Sequence, residues 1–241
     1  MALPEAAIRE SRSLIHAAIR NSGFEVPFRK ITVNLAPAGI KKEGAAFDLP
    51  MAIGVLKRTG TIQADVEAFL MTGKLSLDGH LRPVKNCLSL ALLARSTGKA
   101  KLIVPFENAN DAAIADGVSM YPMHTLTEIA GFLNGTREVC AHRVDAVRML
   151  DLDSNPLENF KDVRGQDHAK RAIEVAVAGG HNILMIGPPE SDKTMLARLI
   201  PSIMPRMTLD ESLEATRIHS AGGLLSPGAG LISIRPFRAP H

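Results

Sequence analysis

The residues best suited to chemistry lie in one stretch, His181 to Ile200, which reads HNILMIGPPESDKTMLARLI. The apolar run from Asn182 to Ile186 predicts a buried strand, and a helix is expected to start near Lys193. A strand, a loop that opens with glycine, and a helix that begins with Lys-Thr is the layout of a phosphate-binding loop, whose pattern is G-x-x-x-x-G-K-[ST]. The spacing therefore indicates a nucleotide-binding loop at residues 187–194.

The candidate nucleotide-binding residues form this loop and the first turn of the helix that follows. They are Gly187, Pro188, Pro189, Glu190, Ser191, Asp192, Lys193 and Thr194. In a loop of this kind the lysine reaches the β- and γ-phosphates of ATP, and the Ser/Thr hydroxyl binds the accompanying Mg²⁺. The pattern thus assigns phosphate binding to Lys193 and a metal-ligand role, through the nucleotide, to Thr194.

Two acidic residues depart from the pattern. Asp192 stands where the second glycine is required, and Glu190 stands where a further glycine is common. The loop binds phosphate through inward-facing backbone N–H groups, and this close approach is easiest without a Cβ. A carboxylate about 5 Å from a phosphate charge repels it by ~3 kcal/mol at an effective dielectric constant near 20, which is about a hundredfold in affinity. We therefore expect weak binding of ATP and Mg²⁺, with a loop that no longer binds nucleotide as the alternative.

Length and composition bound the class of protein. The chain has 241 residues, of which 46% are hydrophobic, and this suffices for one large domain or two modest ones. No apolar run approaches the ~20 residues of a membrane span, and the N-terminus lacks the apolar core of a signal peptide. The net charge of +3 permits contact with nucleic acid, although the basic residues are not clustered. These features predict a cytoplasmic protein without a membrane partner.

Cysteine and histidine spacing argues against a disulfide framework or a zinc site. The two cysteines, Cys87 and Cys140, are far apart, and neither has histidines at ligand-like spacing. The eight histidines are scattered, without H-E-x-x-H or paired i, i+4 spacing. Aromatic residues make up only 4% of the chain, which disfavours a stacking platform for single-stranded nucleic acid.

The first half of the chain mixes helices with strands. Helices are predicted from Pro4 to about Asn21, from Asp48 to about Leu56, from Cys87 to Arg95 and from Thr125 to Leu133, and strands at Lys30–Leu35, Phe69–Thr72, Lys74–Leu77, Leu81–Val84 and Leu102–Val104. Asp48 is expected to cap its helix. The pair Asp78-Gly79 favours a hairpin turn, and Thr125 with Glu128 forms a capping box.

The second half begins after a stretch without periodicity. Residues 136–157 predict a linker with room for one short helix. Beyond it, a helix is expected from Gln166 to Ala178, where Gly179-Gly180 ends it. Thr208 and Glu211 form a second capping box that opens a helix towards His219, and Leu231–Ile234 predicts one strand in a Gly/Pro-rich stretch.

Four blocks carry a resemblance to a known family: NLAPAGIKKEGAAFDLPMAIGVL, GKLSLDGHLRPVKN, DVRGQDHAKRAIEVAVAGGHNILMIGPP and RPFRAPH. Across essentially its whole length the sequence resembles the Mg-chelatase-like AAA+ ATPases of the YifB/ComM family. The resemblance implies an α/β protein. It divides into an α+β domain of the ChlI type, similar to the Lon protease domain, at 1–135, a linker at 136–157, and the N-terminal part of a P-loop AAA+ parallel-sheet module at 158–241.

The resemblance also implies a function. Members of the family hydrolyse ATP as homo-hexameric rings, and ComM acts on DNA as a branch-migration helicase in natural transformation. The segment RGQD implies that Gln166 lies on the adenine side of the nucleotide. Family members begin before the position of Met1 and place their Walker B segment, sensors and arginine finger beyond that of His241. We therefore expect an incomplete copy of such a motor, truncated at both ends.

Two other functions remain open from the sequence. One is a catalytically inactive remnant or interaction module that keeps a degenerate nucleotide loop. The other is insertion of magnesium into a porphyrin, which rests on the family name alone.

A protease activity of the Lon-like half would need a serine that is activated by a lysine. In the block KKEGAAFD the serine position corresponds to Ala46, and the lysine position falls on Leu88. Because the nucleophile is absent, no catalytic residue is expected in this half. Lys41, Lys42 and Glu43 are interpreted as a solvated turn.

Overall fold

A computed structural model describes residues 3–26, 31–33, 45–99, 101–115, 117–152, 159–188, 193–226 and 228–237. The chain divides into two compact units. The first consists of Met1–Val144 with His219–Gly230, and the second of Asp145–Ile218 with Leu231–His241. The first unit therefore includes a segment that follows the candidate loop in the chain.

The first unit contains helices on a small parallel sheet, with a separate hairpin. In chain order its elements are α1 (Leu3–Asn21), α2 (Asp48–Arg58), β1 (Phe69–Met71), β2 (Lys74–Leu75), β3 (Leu81–Arg82), α3 (Cys87–Ser96), β4 (Lys101–Pro105), α4 (Ala109–Ala113), β5 (Ser119–Met123) and α5 (Leu126–Leu133). The strands β1, β4 and β5 are parallel, with β4 in the centre. The pair β2 and β3 is antiparallel. The α/β class expected from the sequence is confirmed.

The central strand β4 connects two hydrophobic cores. Because side chains alternate across a strand, Ile103 packs with α1, α2 and α5 in one core, whereas Leu102 and Val104 pack with α3 and α4 in the other. All three side chains are fully buried. Burial on both faces is the usual state of a central parallel strand.

The hairpin turn predicted at Asp78-Gly79 is confirmed. Leu75 pairs with Leu81, and Ser76 and His80 close the turn through a backbone hydrogen bond of 2.9 Å. The Asp78 carboxylate accepts hydrogen bonds from the Ser76 hydroxyl and from the His80 N–H. Since Gly79 has φ +80°, this position favours a residue without a Cβ.

The strands of this unit differ from the sequence predictions in two places. Strand β5, with the sequence SMYPM, is absent from those predictions, and it contains Pro122, which has no N–H for a sheet ladder. Pro122 is tolerated because β5 is an outer strand of the sheet among the described residues, paired along its length with β4 and on its other side with His142 through a single bridge at Met120. The strand predicted at Lys30–Leu35 is not seen in residues 31–33, and its other residues lie outside those described.

The second unit is helical in the residues that the structure describes. Its helices are α6 (Ala146–Leu152), α7 (Asp167–Ala178), α8 (Lys193–Leu199) and α9 (Leu209–Ala221), and short 3₁₀ turns occupy Phe160–Asp162 and Ile200–Ile203. The last turn of α9 belongs to the first unit by its contacts. The predicted capping box opens α9, because Glu211 accepts the N–H of Thr208 and Thr208 Oγ1 accepts the N–H of Glu211.

The two strands predicted for the second unit are not formed. Residues 182–186 and 231–234 have no strand conformation. Leu184 and Ile186, expected to be buried, are 81% and 88% exposed. A strand needs a neighbour to pair its backbone groups, and the described residues of this unit include no other strand.

Candidate functional site

The two described ends of the candidate loop are joined by Lys193. Its Nζ donates hydrogen bonds to the backbone oxygens of Gly187, at 2.9 Å, and of Pro188. In the described residues helix α8 spans Lys193–Leu199, where the sequence predicts a helix. The ammonium group is therefore held at the mouth of the loop by acceptors from its opening residues.

Four of the predicted nucleotide-binding residues cannot be placed. Pro189, Glu190, Ser191 and Asp192 lie outside the described residues. Thr194 is exposed in the first turn of α8. The structure thus brings together the two ends of the predicted site, namely Gly187-Pro188 and Lys193-Thr194.

A small apolar core packs α8, which follows the loop, against α7. Val163, Ile173 of α7, and Leu196 and Leu199 of α8 are buried in one cluster with Phe160. Met185 packs against this cluster although its neighbours Leu184 and Ile186 are exposed. The Phe160 N–H also donates to Ser202 Oγ at 3.0 Å. Helix α8, and with it Lys193, is fixed to α7 by this packing.

Gln166, which the family resemblance assigned to the adenine side, precedes α7. It has φ +55°, in the left-handed region, and its side chain makes no capping hydrogen bond to the helix. The side chain is exposed. Left-handed backbone at a residue other than Gly, Asn or Asp is uncommon.

Two described residues of the predicted loop, Lys193 and Thr194, have the chemistry that a triphosphate with its magnesium ion would need. The Lys193 ammonium is bound by two carbonyl oxygens, and phosphate oxygens are acceptors of the same geometry with greater negative charge. Thr194 presents a hydroxyl one residue further on, which is the ligand that Mg²⁺ takes from such loops. The described residues contain no group of three or more His, Cys, Asp and Glu side chains that could hold a metal ion without nucleotide.

Helix α9 holds the segment after it through buried hydroxyls. Ser212 and Thr216 are 0% and 3% exposed. Ser212 Oγ donates to the backbone oxygen of Ile232 at 2.5 Å, and Thr216 Oγ1 accepts the N–H of Ile232 at 2.9 Å. Sequence reasoning missed this pair, although two hydroxyl residues four apart on a helix share one face and could have been noted.

An ion pair holds the same segment to the start of α9. Arg235 Nη2 lies 3.0 and 2.8 Å from the two carboxylate oxygens of Glu211, and Arg235 Nε donates to Pro205 O at 2.9 Å. The pKa of Glu211 is lowered, first by the hydrogen bond from the Thr208 N–H and then by Arg235. The side-chain bonds from Ser212, Thr216 and Glu211 thus hold residues 231–235, which have no strand partner among the described residues.

Asp48 in the first unit differs from its predicted role. It lies inside α2 after Phe47, which occupies the N-cap position. Its side chain is buried, Oδ2 accepts the Leu75 N–H at 3.4 Å, and Oδ1 has no hydrogen-bond partner. Burial raises the pKa of this carboxyl against the lowering effects of the bonds from Leu75 and Ser11 and of the Lys74 charge. The capping prediction was wrong because packing draws the side chain inwards.

The positions that would carry a Lon-type protease site are aliphatic and structural. Leu88 is 1% exposed. Ala46 accepts hydrogen bonds at its backbone oxygen from the Gly73 N–H and from Thr72 Oγ1, both at 3.3 Å. Lys41, Lys42 and Glu43 lie outside the described residues.

The two thiols differ in their environments. Cys87 is buried, and burial together with the nearby Asp111 charge raises the pKa of its thiol to about 12. Cys140 is exposed.

Within the ranges described, no helix is both long and apolar enough to cross a membrane.

Comparison with known proteins gives two family matches. The model described as "Subunit ChlI of Mg-chelatase" matches residues 1–108, and the model described as "Magnesium chelatase, subunit ChlI" matches residues 159–241. The second match includes the candidate loop.

Individual relatives match nearly the whole chain. The competence protein ComM of Haemophilus influenzae is 37% identical over 243 residues, which cover 99% of this chain and 47% of the relative. The protein YifB of Escherichia coli is 37% identical over 241 residues, with 99% and 46% covered. Lon protease 2 of Bacillus subtilis is 28% identical over 112 residues, 46% of this chain and 20% of that protein. The chain spans about half the length of the curated relatives that match it throughout.

Proposed function

Because the chain belongs to the Mg-chelatase-like family that includes YifB and ComM, we propose that it binds ATP with Mg²⁺ at residues 187–194. The observation that carries the proposal is the position of Lys193. Its ammonium group bridges the backbone oxygens of Gly187 and Pro188 at the mouth of the loop. A phosphate-binding loop requires a cation at this place.

Two residues of the chain have defined roles in this proposal. Lys193 exchanges its carbonyl partners for β- and γ-phosphate oxygens, which are stronger acceptors for an ammonium group. The Thr194 hydroxyl, exposed one residue later, supplies the protein ligand to the metal. Mg²⁺, when bound, neutralises part of the triphosphate charge.

The proposed affinity is low. Glu190 and Asp192 add two negative charges to an eight-residue loop that receives a polyanion. With a repulsion of ~3 kcal/mol for each charge near 5 Å, we expect a Kd above ~100 μM. Lys193 must also leave two hydrogen bonds before it can contact phosphate, and this cost acts in the same direction.

Calorimetric titration of the chain with Mg²⁺ and ATP tests the proposal. We expect weak but saturable binding that Lys193→Ala abolishes. Arg198→Ala is the matched control, because Arg198 is an exposed cation on the same helix, and it should leave the Kd within about twofold. Binding in the low micromolar range, or binding that survives Lys193→Ala unchanged, would refute this assignment.

We further propose that the chain works with DNA in a homo-oligomeric, ATP-hydrolysing assembly of the ComM kind. The similarity to a relative named as a competence protein supports DNA as the partner, and the net charge of +3 permits it. Fluorescence anisotropy with labelled double-stranded DNA, at low and moderate salt and with or without Mg²⁺ and ATP, measures this directly. Sedimentation under the same conditions gives the oligomeric state, and no DNA binding at low salt would rule out this role.

The alternative is an interaction module without nucleotide. If calorimetry shows no binding even for a variant in which Glu190 and Asp192 are replaced by glycine, a function in nucleotide binding is excluded. The Lon-like unit would then be the part of the chain to test for protein partners.

A further inference from the structure

The carboxylate of Asp111, in α4, binds the backbone of a distant segment. Its Oδ2 accepts the N–H of Gly228 at 2.9 Å, and its Oδ1 accepts the N–H of Gly230 at 3.5 Å. These glycines are 117 and 119 residues further along the chain, yet they belong to the same compact unit. Hydrogen bonds to a charged acceptor are stronger than neutral ones, so this single side chain is a substantial attachment.

The other end of the segment is also attached. Ser220 Oγ accepts the N–H of Asn86 at 3.3 Å. A Cβ added at Gly223 would lie 2.6 Å from Lys85 Nζ, which shows how closely the Lys85 side chain covers that glycine. We refer to residues 220–226 and 228–230 as the glycine strap.

The surface under the strap binds backbone N–H groups of the strap and leaves little room for a side chain at Gly223 and Gly228. Gly228 has φ +78°, and a Cβ there would lie 3.0 Å from the backbone oxygen of Glu107. Leu224, near the middle of the strap, is 73% exposed. The strap is therefore held by a few polar contacts and buries little apolar surface.

The surface that contacts the strap is held by hydrogen bonds that do not involve the strap. Asn108 is 1% exposed, and its side-chain amide pairs with both backbone groups of Val84, at 2.9 and 3.0 Å. The same Asn108 amide donates to Asp111 Oδ2 at 3.1 Å. Asp111 is thus oriented by a buried side chain, whereas most residues of the strap are exposed, with Gly228 half-buried and Gly230 buried at the contact itself.

From this asymmetry we propose that the glycine strap is releasable and that the Asp111 carboxylate is its latch. A segment with few buried apolar contacts opens at a low free-energy cost, so the attachment depends on the charged acceptor. The Asp111 carboxylate, oriented by Asn108, is then a docking site for the backbone amides of a glycine-rich segment, and the Asn86 N–H donates to the Ser220 hydroxyl at the other end of that segment. The occupant in this protein is the strap of the same chain. This proposal is independent of nucleotide binding.

Hydrogen exchange of the full chain, followed by mass spectrometry, tests the latch. In the unaltered protein we expect measurable protection of Gly228 and Gly230. Asp111→Ala should accelerate exchange of peptides within residues 219–230 by about tenfold or more. Gly228→Ala should also release the strap, because the added Cβ would lie 3.0 Å from the backbone oxygen of Glu107. Glu107→Gln is the control: it removes an exposed charge beside the latch and should leave exchange unchanged.

Helix α5 reports whether a variant has unfolded. If Asp111→Ala also removes protection from Leu126–Leu133, Asp111→Asn is used in its place, since Asn keeps one acceptor without the charge and should accelerate strap exchange by a smaller factor. The proposal is overturned if α5 stays protected while strap exchange is the same in all variants. It is also overturned if the strap of the unaltered protein exchanges at the rate of an unstructured peptide.

Discussion

Thr216 accepts the backbone N–H of Ile232 at 2.9 Å, while its own hydroxyl donates to the oxygen of Ser212. Ser212 in turn donates to the oxygen of Ile232. Both backbone groups of Ile232 are therefore satisfied by two side chains one turn apart on α9. The segment that contains Ile232 is therefore held on α9 by two side-chain hydroxyls.

This relationship makes Thr216 important for stability. Thr216→Val keeps the side-chain shape but leaves the half-buried Ile232 N–H without its acceptor, which costs about 1–3 kcal/mol. Urea unfolding should show this loss. Thr127→Val, at an exposed position of α5, should change the free energy of unfolding by less than about 0.5 kcal/mol. Equal stability of the two variants would mean that water replaces the hydroxyl.

Removal of the loop carboxylates should strengthen nucleotide binding. Asp192→Gly combined with Glu190→Gly restores the glycine pattern and removes two charges, so the Kd for ATP with Mg²⁺ should fall by up to about a hundredfold. Calorimetry of the double variant measures the change. Glu214→Gln removes an exposed charge outside the loop and should have no effect. An unchanged Kd in the double variant would show that charge does not limit binding.

Asp48 should make stability fall as pH rises. Burial raises the pKa of Asp48 in the folded protein, so its contribution to stability is fully present below the unfolded pKa of about 3.9. That contribution is lost as pH rises through the folded value. Asp48→Asn should therefore gain stability relative to the unaltered chain between pH 4 and pH 7, as measured by urea unfolding. Glu67→Gln, at an exposed site, should show no such trend.

The two thiols should react very differently in the native protein. With a pKa of about 12, Cys87 is ionised at pH 8 in roughly one molecule in ten thousand, and the thiolate is the reactive form. Iodoacetamide at pH 8 should therefore add one label, at the exposed Cys140. Cys140→Ser should abolish native labelling, and urea should allow Cys87 to react. Two labels on the folded chain would contradict the buried position of Cys87.

Gly79 should tolerate no side chain. It has φ +80°, and an added Cβ would lie 2.1 Å from Ser22 Oγ and 3.4 Å from Ala18 O. Gly79→Ala should thus cost more than the ~1–2 kcal/mol of left-handed strain alone. Gly98→Ala is the matched control, because Gly98 has φ +72° with nothing within 4 Å of an added Cβ. The difference between the two variants should shrink when Ser22 is changed to glycine.

The sequence by itself determined the features that depend on neighbouring residues. The hairpin at Asp78-Gly79 was predictable because a turn is specified by its own few residues. The capping box of Thr125 and Glu128 was predictable because both partners lie within one helical turn. For the same reason the presence of a helix from Lys193 onwards followed from the loop pattern. The loop residues 189–192 remain a prediction from sequence.

Tertiary structure decided everything that depends on distant partners. Strand β5 contains Pro122 and is paired along its length with β4, and Asp48 lies inside α2 with its side chain buried while Phe47 occupies the N-cap position. The apolar run at 182–186 has the composition of a strand, but hydrophobicity provides no partner for its backbone groups. The attachment of Gly228 and Gly230 to Asp111 spans more than a hundred residues. No local pattern encodes such a contact, because its free energy arises only when the chain is folded.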